Sequence, residues 1–195
     1  LLIQRILGGA PVQLYANYQT DPDYWRRKAQ RIVYSGPLDE LYGYDLGRME
    51  YRSLRHETRV VPVNDYQGCA TMNYTDAAVL FTRQMEWRHF GWTQSNKSCT
   101  IVTTEWPAEY ADTGEPFYPV RDSDNAALHA QYADRAKADG YIFGGRLADY
   151  QYYDMHQVIA RALHLAAGEL TPHDLDTIRR DPGDHRRKES IIYAI

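Results

Sequence analysis

Cysteine is scarce. In 195 residues only Cys69 and Cys99 carry a thiol, too few for a disulfide framework, and both fall in strand-like contexts where a buried, reduced thiol is expected. That usage points to the cytoplasm. Long apolar runs are lacking too: the best, residues 158–167, is broken by Arg161 and His164, so no membrane span and no membrane partner are expected. Basic charge is not in excess, because 22 Lys and Arg stand against 26 Asp and Glu for a net charge of −4. This argues against bulk attraction to nucleic acid and leaves room only for a local cluster on a phosphate. Gly-x-Gly-x-x-Gly, a P-loop and a Gly-x-Ser-x-Gly elbow are all absent. The seven His show no zinc spacing, with His156 and His164 eight apart on one predicted helix, and no metal site is expected. A basic leader, an initiator Met and a cleavage pattern are missing as well. Leu2, Ile3, Ile6 and Leu7 followed by Gly8 read as the last turns of an amphipathic helix, so a fragment of a longer chain is expected.

What is present is the ordinary balance of a globular protein, 44% apolar and 25% charged, with length enough for one sizeable core or two small domains. Phenylalanine is rare at four residues, whereas tyrosine reaches 17 with four Trp; rings with a hydroxyl suit a surface gripping something flat and polar, or a structural role. Alternation predicts a strand over 12–18, then a short helix over 24–30 and a strand over 31–34 ending in Ser35-Gly36-Pro37. From about residue 46 the texture changes. Stretches 49–63, 69–74 and 100–105, with 87–92 as a fourth strand, predict an antiparallel sheet. A surface helix follows over 124–138. Tyr141-Ile142-Phe143 is a short strand ending in Gly144-Gly145-Arg146, and Asp154 with Gln157 forms a capping box that opens a helix ended by Gly168. Thr171-Pro172 starts a further helix through Ile178, and residues 181–190 are charged and solvated.

Three stretches have the residue types for chemistry. Gly144-Gly145-Arg146 lets backbone approach a bulky ligand, and the helix that follows offers unpaired N–H groups and partial positive charge to a phosphate or a reduced flavin; taken alone, the glycine pair reads first as a plain turn. Tyr150-Gln-Tyr152-Tyr153-Asp154 crowds phenols at a strand-to-helix junction where α/β sheets hold ligands, or packs a core edge. Asn73-Tyr74-Thr75-Asp76 leads to Phe81-Thr82-Arg83, where Arg83 emerges from a short apolar run as a phosphate-binding fork or a solvated arginine.

Taken in order, Arg31-Ile-Val-Tyr-Ser-Gly-Pro-Leu-Asp, Met49-Glu-Tyr-Arg-Ser-Leu-Arg-His-Glu-Thr, Asn73-Tyr-Thr-Asp through Thr82-Arg83, Glu115-Pro-Phe-Tyr118-Pro-Val and the run from Ile142 through Gly144-Gly145-Arg146 to Val158 resemble UDP-galactopyranose mutases up to about Leu170. The resemblance implies a cytoplasmic flavoenzyme, a homodimer at full length, that interconverts the pyranose and furanose forms of UDP-galactose. Reduced FAD is its nucleophile at the anomeric carbon. It implies that Arg83 and Arg146 are catalytic and that Arg83, Tyr118, Tyr152 and Asn73 bind the substrate. Gly144, Gly145, Arg146, Asp154 and Met155 would contact FAD.

The expected fold is α+β. Residues 1–45 and 139–170 would belong to a Rossmann-like FAD-binding domain, 46–138 would form an antiparallel sheet domain over the substrate, and 171–195 would be a charged tail. The dinucleotide fingerprint, a mobile loop with a second arginine and a uracil-stacking helix would lie outside this chain, so the chain alone is expected to be inactive and sticky or oligomeric. Two rivals are an amine-oxidase-like flavoenzyme and a non-catalytic interaction module.

Overall fold

The computed structural model describes residues 2–8, 10–91, 98–170 and 191–194. In chain order the elements are α1 (Leu2–Leu7), a 3-10 turn (Tyr18–Thr20), α2 (Pro22–Lys28), β1 (Arg31–Tyr34) and α3 (Leu38–Leu41). Then come β2 (Tyr51–Val61), β3 (Thr71–Asn73), β4 (Arg83–Glu86), a 3-10 turn (Trp87–His89), β5 (Thr100–Glu109), α4 (Tyr110–Thr113) and β6 (Tyr118–Pro119). The rest is α5 (Ser123–Ala138), β7 (Ile142–Phe143), α6 (Met155–Glu169) and β8 (Ile191–Ala194). These fall into two compact units, one of Leu1–Met49 with Arg121–Ile195 and one of Glu50–Val120. Among the described residues no helix is long and apolar enough to cross a membrane.

The first unit is built on a parallel sheet in the order β7-β1-β8, with Val33 opposite Ile142 and Arg31 opposite Ile191. Its core is tyrosine-rich. Tyr18, Tyr34, Tyr132, Tyr141 and Tyr150 are all buried, and the hydroxyls of the first four are used rather than wasted. Those of Tyr18 and Tyr141 are 2.8 Å apart, Tyr34 donates to the Pro37 carbonyl at 3.1 Å, and Tyr132 donates to the Gly47 carbonyl at 2.8 Å. Burial, with the Tyr141 hydroxyl beside it, pushes Tyr18 up to about 12. Much of the tyrosine surplus is therefore core, not gripping surface. α2 begins as its sequence dictates, with Pro22 in the first turn and the Asp21 carboxylate accepting from the Tyr24 N–H.

Two expectations here need correction. Residues 12–18 form no strand: Tyr15 sits at φ 57, which breaks the extension, and Val12 and Leu14 are exposed. The helix over 155–169 runs through Gly168 and is capped at Leu170. The helix and charged segment expected over 171–190 lie outside the described residues. Beyond them, Ile191–Ala194 adds a strand beside β1, so 171–195 is not a charged tail throughout: Ile-Ile-Tyr-Ala is a short apolar run that follows the charged residues.

The second unit is a five-stranded antiparallel sheet in the order β3-β4-β5-β2-β6. β2 and β5 pair over ten residues, from Arg52 opposite Glu109 to Val61 opposite Thr100. The strand expected at 87–92 is misplaced: Trp87–His89 is a 3-10 turn, and the strand is β4 just before it. Its buried positions are polar, which inverts the usual alternation. Gln84 donates to the Thr104 hydroxyl at 3.1 Å and accepts from the Tyr74 hydroxyl at 2.9 Å, while Glu86 accepts from the Tyr66 and Gln67 amides. The fold is thus mixed α and β with an antiparallel sheet, as expected.

Candidate functional site

In the second unit, register places the site residues. Asn73 is opposite Arg83, Arg83 opposite Glu105, and Glu105 opposite His56. Directly opposed residues share a face, so four neighbouring strands project one polar row. Arg83 Nε donates to Asn73 Oδ1 at 2.9 Å, and its Nη1 lies 3.5 Å from Glu105 Oε2. The other carboxylate oxygen, Oε1, is 3.7 Å from His56 Nε2. Glu105 is buried, whereas the Arg83 side chain keeps 42% of its surface. The guanidinium is therefore held from both sides, and Nη2 carries neither of these contacts. Such a fork, oriented and still reachable, suits bidentate capture of a phosphate. Tyr118 stands opposite Arg52, four residues along β2 from His56 and so on the same face. Beside the row, His56, Thr58, Met85, Trp87, Ile101 and Thr103 line an open groove of about 610 Å³.

In the first unit, β7 ends in Gly144 and Gly145. A Cβ on Gly144 would collide with Leu165 Cδ1, so this glycine serves the packing of α6 against the strand end. Gly145 is at φ 106, a conformation that turns the chain and that side chains resist. Arg146 follows, its guanidinium 5.0 Å from the centre of the Tyr152 ring. Tyr152 and Met155 are 55% and 85% exposed. Asp154 and Gln157 form the expected capping box, which satisfies the Gln157 N–H and leaves those of Met155 and His156 without a partner inside the helix. An arginine, an exposed phenol ring and a helix start with open N–H groups are a donor set that fits a flat group acquiring negative charge, as a flavin does on reduction.

All the residues expected at the site thus fall in two clusters, one in each unit. Glu105, His56, Asp149 and Arg161 were not anticipated, and only the cross-strand register and the α6 packing bring them in. For metals, Asp65, Glu86 and His89 place one ligand atom each within 4.8 Å of one another. The carboxylates of that group already accept from the Gly68, Tyr66 and Gln67 amides, so the cluster reads as a structural network. Cys69 and Cys99 are half-buried thiols, not a disulfide.

Residues 2–152 match the profile of the GLF family, described as UDP-galactopyranose mutase. The chain belongs to the UDP-galactopyranose mutase family. A probable UDP-galactopyranose mutase from Klebsiella pneumoniae is 37% identical over 142 residues, which is 72% of this chain and 36% of that protein. The UDP-galactopyranose mutase of Mycoplasma pneumoniae is 38% identical over 137 residues, 68% of this chain and 34% of its own length. A dTDP-fucopyranose mutase from Escherichia coli is 34% identical over 136 residues, covering 69% and 36%. The chain spans about a third of the length of these relatives. Within the family match lie Asn73, Arg83, Tyr118, Gly144, Gly145, Arg146 and Tyr152, while Asp154 and Met155 fall just beyond it.

Proposed function

We propose that this chain carries one side of the flavin and nucleotide-sugar site of a cytoplasmic mutase, a homodimer at full length, that interconverts UDP-galactopyranose and UDP-galactofuranose. The observation that carries the reading is Arg83, fixed between Asn73 and Glu105 and still open to an anion. Arg83 and Tyr118 hold the diphosphate from the sheet, Asn73 keeps Arg83 oriented near the sugar, and Tyr152, in the other unit, is a further hydroxyl donor to the substrate. Fixed donors stabilise the charge of a departing diphosphate better than water, which must reorganise. On the flavin side, Gly144 and Gly145 let the chain turn close to the cofactor. Arg146 and the helix start capped by Asp154, where the N–H groups of Met155 and His156 are open, favour its anionic form. Reduced FAD, when bound, supplies the nucleophile at the anomeric carbon.

With the rest of the site carried elsewhere, the 195-residue chain alone is expected to turn over no UDP-galactopyranose; measurable turnover by the purified chain overturns that statement. The main test is UDP binding by calorimetry on the full-length protein. Arg83→Ala should weaken it by about 1.5–3 kcal/mol, the range for hydrogen bonds to a charged group. An unchanged affinity would remove Arg83 from the diphosphate site. A second reading is favoured by the dTDP-fucopyranose mutase among the relatives: the groups placed here address diphosphate and flavin, and would serve a thymidine nucleotide equally. Turnover of UDP-galactose and dTDP-fucose, compared side by side, separates the two.

A further inference from the structure

Asp149 sits at the centre of a small network that joins the Gly-Gly-Arg loop to α6. Its Oδ2 accepts from the Gly145 amide at 3.1 Å and from Arg161 Nε at 2.8 Å, and its Oδ1 accepts from Arg161 Nη2 at 3.0 Å. One side chain therefore gathers the start of the loop and a turn of α6. Arg161 Nη2 continues to the Phe143 carbonyl at the end of β7, 3.5 Å away. Side-chain exposures of 28% for Arg161 and 9% for Asp149 keep the pair shielded, and the two parallel bonds make it directional as well as strong.

The backbone bonds of the loop do not do this job. Asp149 N–H to the Gly145 carbonyl and Gln151 N–H to the Arg146 carbonyl close the turn on itself, and neither reaches the helix. Nor does apolar burial, since none of the α6 side chains is buried. The helix is pinned by ion pairs near its middle, Asp149–Arg161, and at its end, Arg31–Glu169 at 2.9 Å, with Leu165 seated over Gly144.

We propose that Asp149, gripped by Arg161, is a positioning residue for the flavin side of the site: it sets Arg146 and the start of α6 in register with each other. This rests on the reading of residues 144–155 as the flavin contact. Asp149 itself touches no reacting atom and acts through Arg146 and the helix start.

The test uses the full-length protein and measures dissociation constants for oxidised and, anaerobically, reduced FAD. In Asp149→Asn the preference for the reduced form, expressed as the ratio of the two constants, should fall at least fivefold. The sign is informative. Deleting a carboxylate near an anionic flavin would by itself raise that preference, so a fall reports the loss of Arg146 from its place. Arg161→Lys, which keeps the charge without the fork, should fall less than Arg161→Gln, and it offers a milder variant if Asp149→Asn folds poorly. A ratio that stays unchanged because both forms weaken alike, or a ratio that rises, overturns the proposal and leaves a purely structural pair. A full-length protein that takes up no FAD in either form would instead defeat the site reading on which the inference stands.

Discussion

Glu86 is completely buried in the sheet unit. Burial pushes its carboxyl up, but the Gln67 and Tyr66 amides that donate to it outweigh that and hold it below the ordinary glutamate value of 4.5. A depressed native pKa contributes stability that is fully present above the unfolded value and drains away as pH falls through the native one. Asp65, lowered chiefly by the Gly68 amide, acts in the same direction. The melting temperature should therefore decline below about pH 4.5, and Glu86→Gln should flatten that decline while costing about 2–3 kcal/mol at pH 7, the loss for charged hydrogen bonds to buried amides. An acid limb identical in wild type and variant would assign the decline to other groups. Glu86 also shows why β4 was hard to read. A strand whose inward positions are Gln and Glu presents the opposite of the hydrophobic alternation, and only the partners supplied by residues distant in sequence make those positions tolerable. Arg83 was legible as a residue type, but its placement was not: Asn73 and Glu105 are neighbours through register, a property of pairs of strands that no single segment contains.

At the scale of elements, α6 was the most legible feature. Its capping box and its apolar spacing are local, and both survive in the structure. The segment over 12–18 failed for the complementary reason: alternation supplies a face, yet a strand also needs an edge to pair with and a backbone that stays extended. The packing of α6 gives a direct prediction. Gly144→Ala would press a methyl on the Leu165 tip, and since a flexible side chain can yield, the cost should be about 1 kcal/mol. Leu165→Ala should remove most of that penalty, giving a coupling measurable in a double-mutant cycle by chemical denaturation. Additive effects would place the Gly144 constraint elsewhere, on the Arg161 guanidinium 3.4 Å from the same position. The same helix leaves Met155, Ile159 and Leu163 85%, 60% and 67% exposed, one stripe at successive turns.

For the whole molecule that stripe predicts self-association. Sedimentation of the 195-residue chain should show mass rising with concentration, and Ile159→Lys with Leu163→Lys should suppress it, because an exposed apolar face of this kind rarely remains bare in water. A chain that stays monomeric across the range would refute the expectation. The division into two units has a different consequence. Glu50 and Val120, the first and last residues of the sheet unit, are joined by a backbone hydrogen bond of 3.0 Å, and Tyr51 and Pro119 pair just inside them. The unit's entry and exit thus meet at a single seam. Residues 50–120 could be closed head to tail into a circle through a linker of a few residues, at small entropic cost, or reopened at the exposed loop around Gly68 without disturbing the strand order.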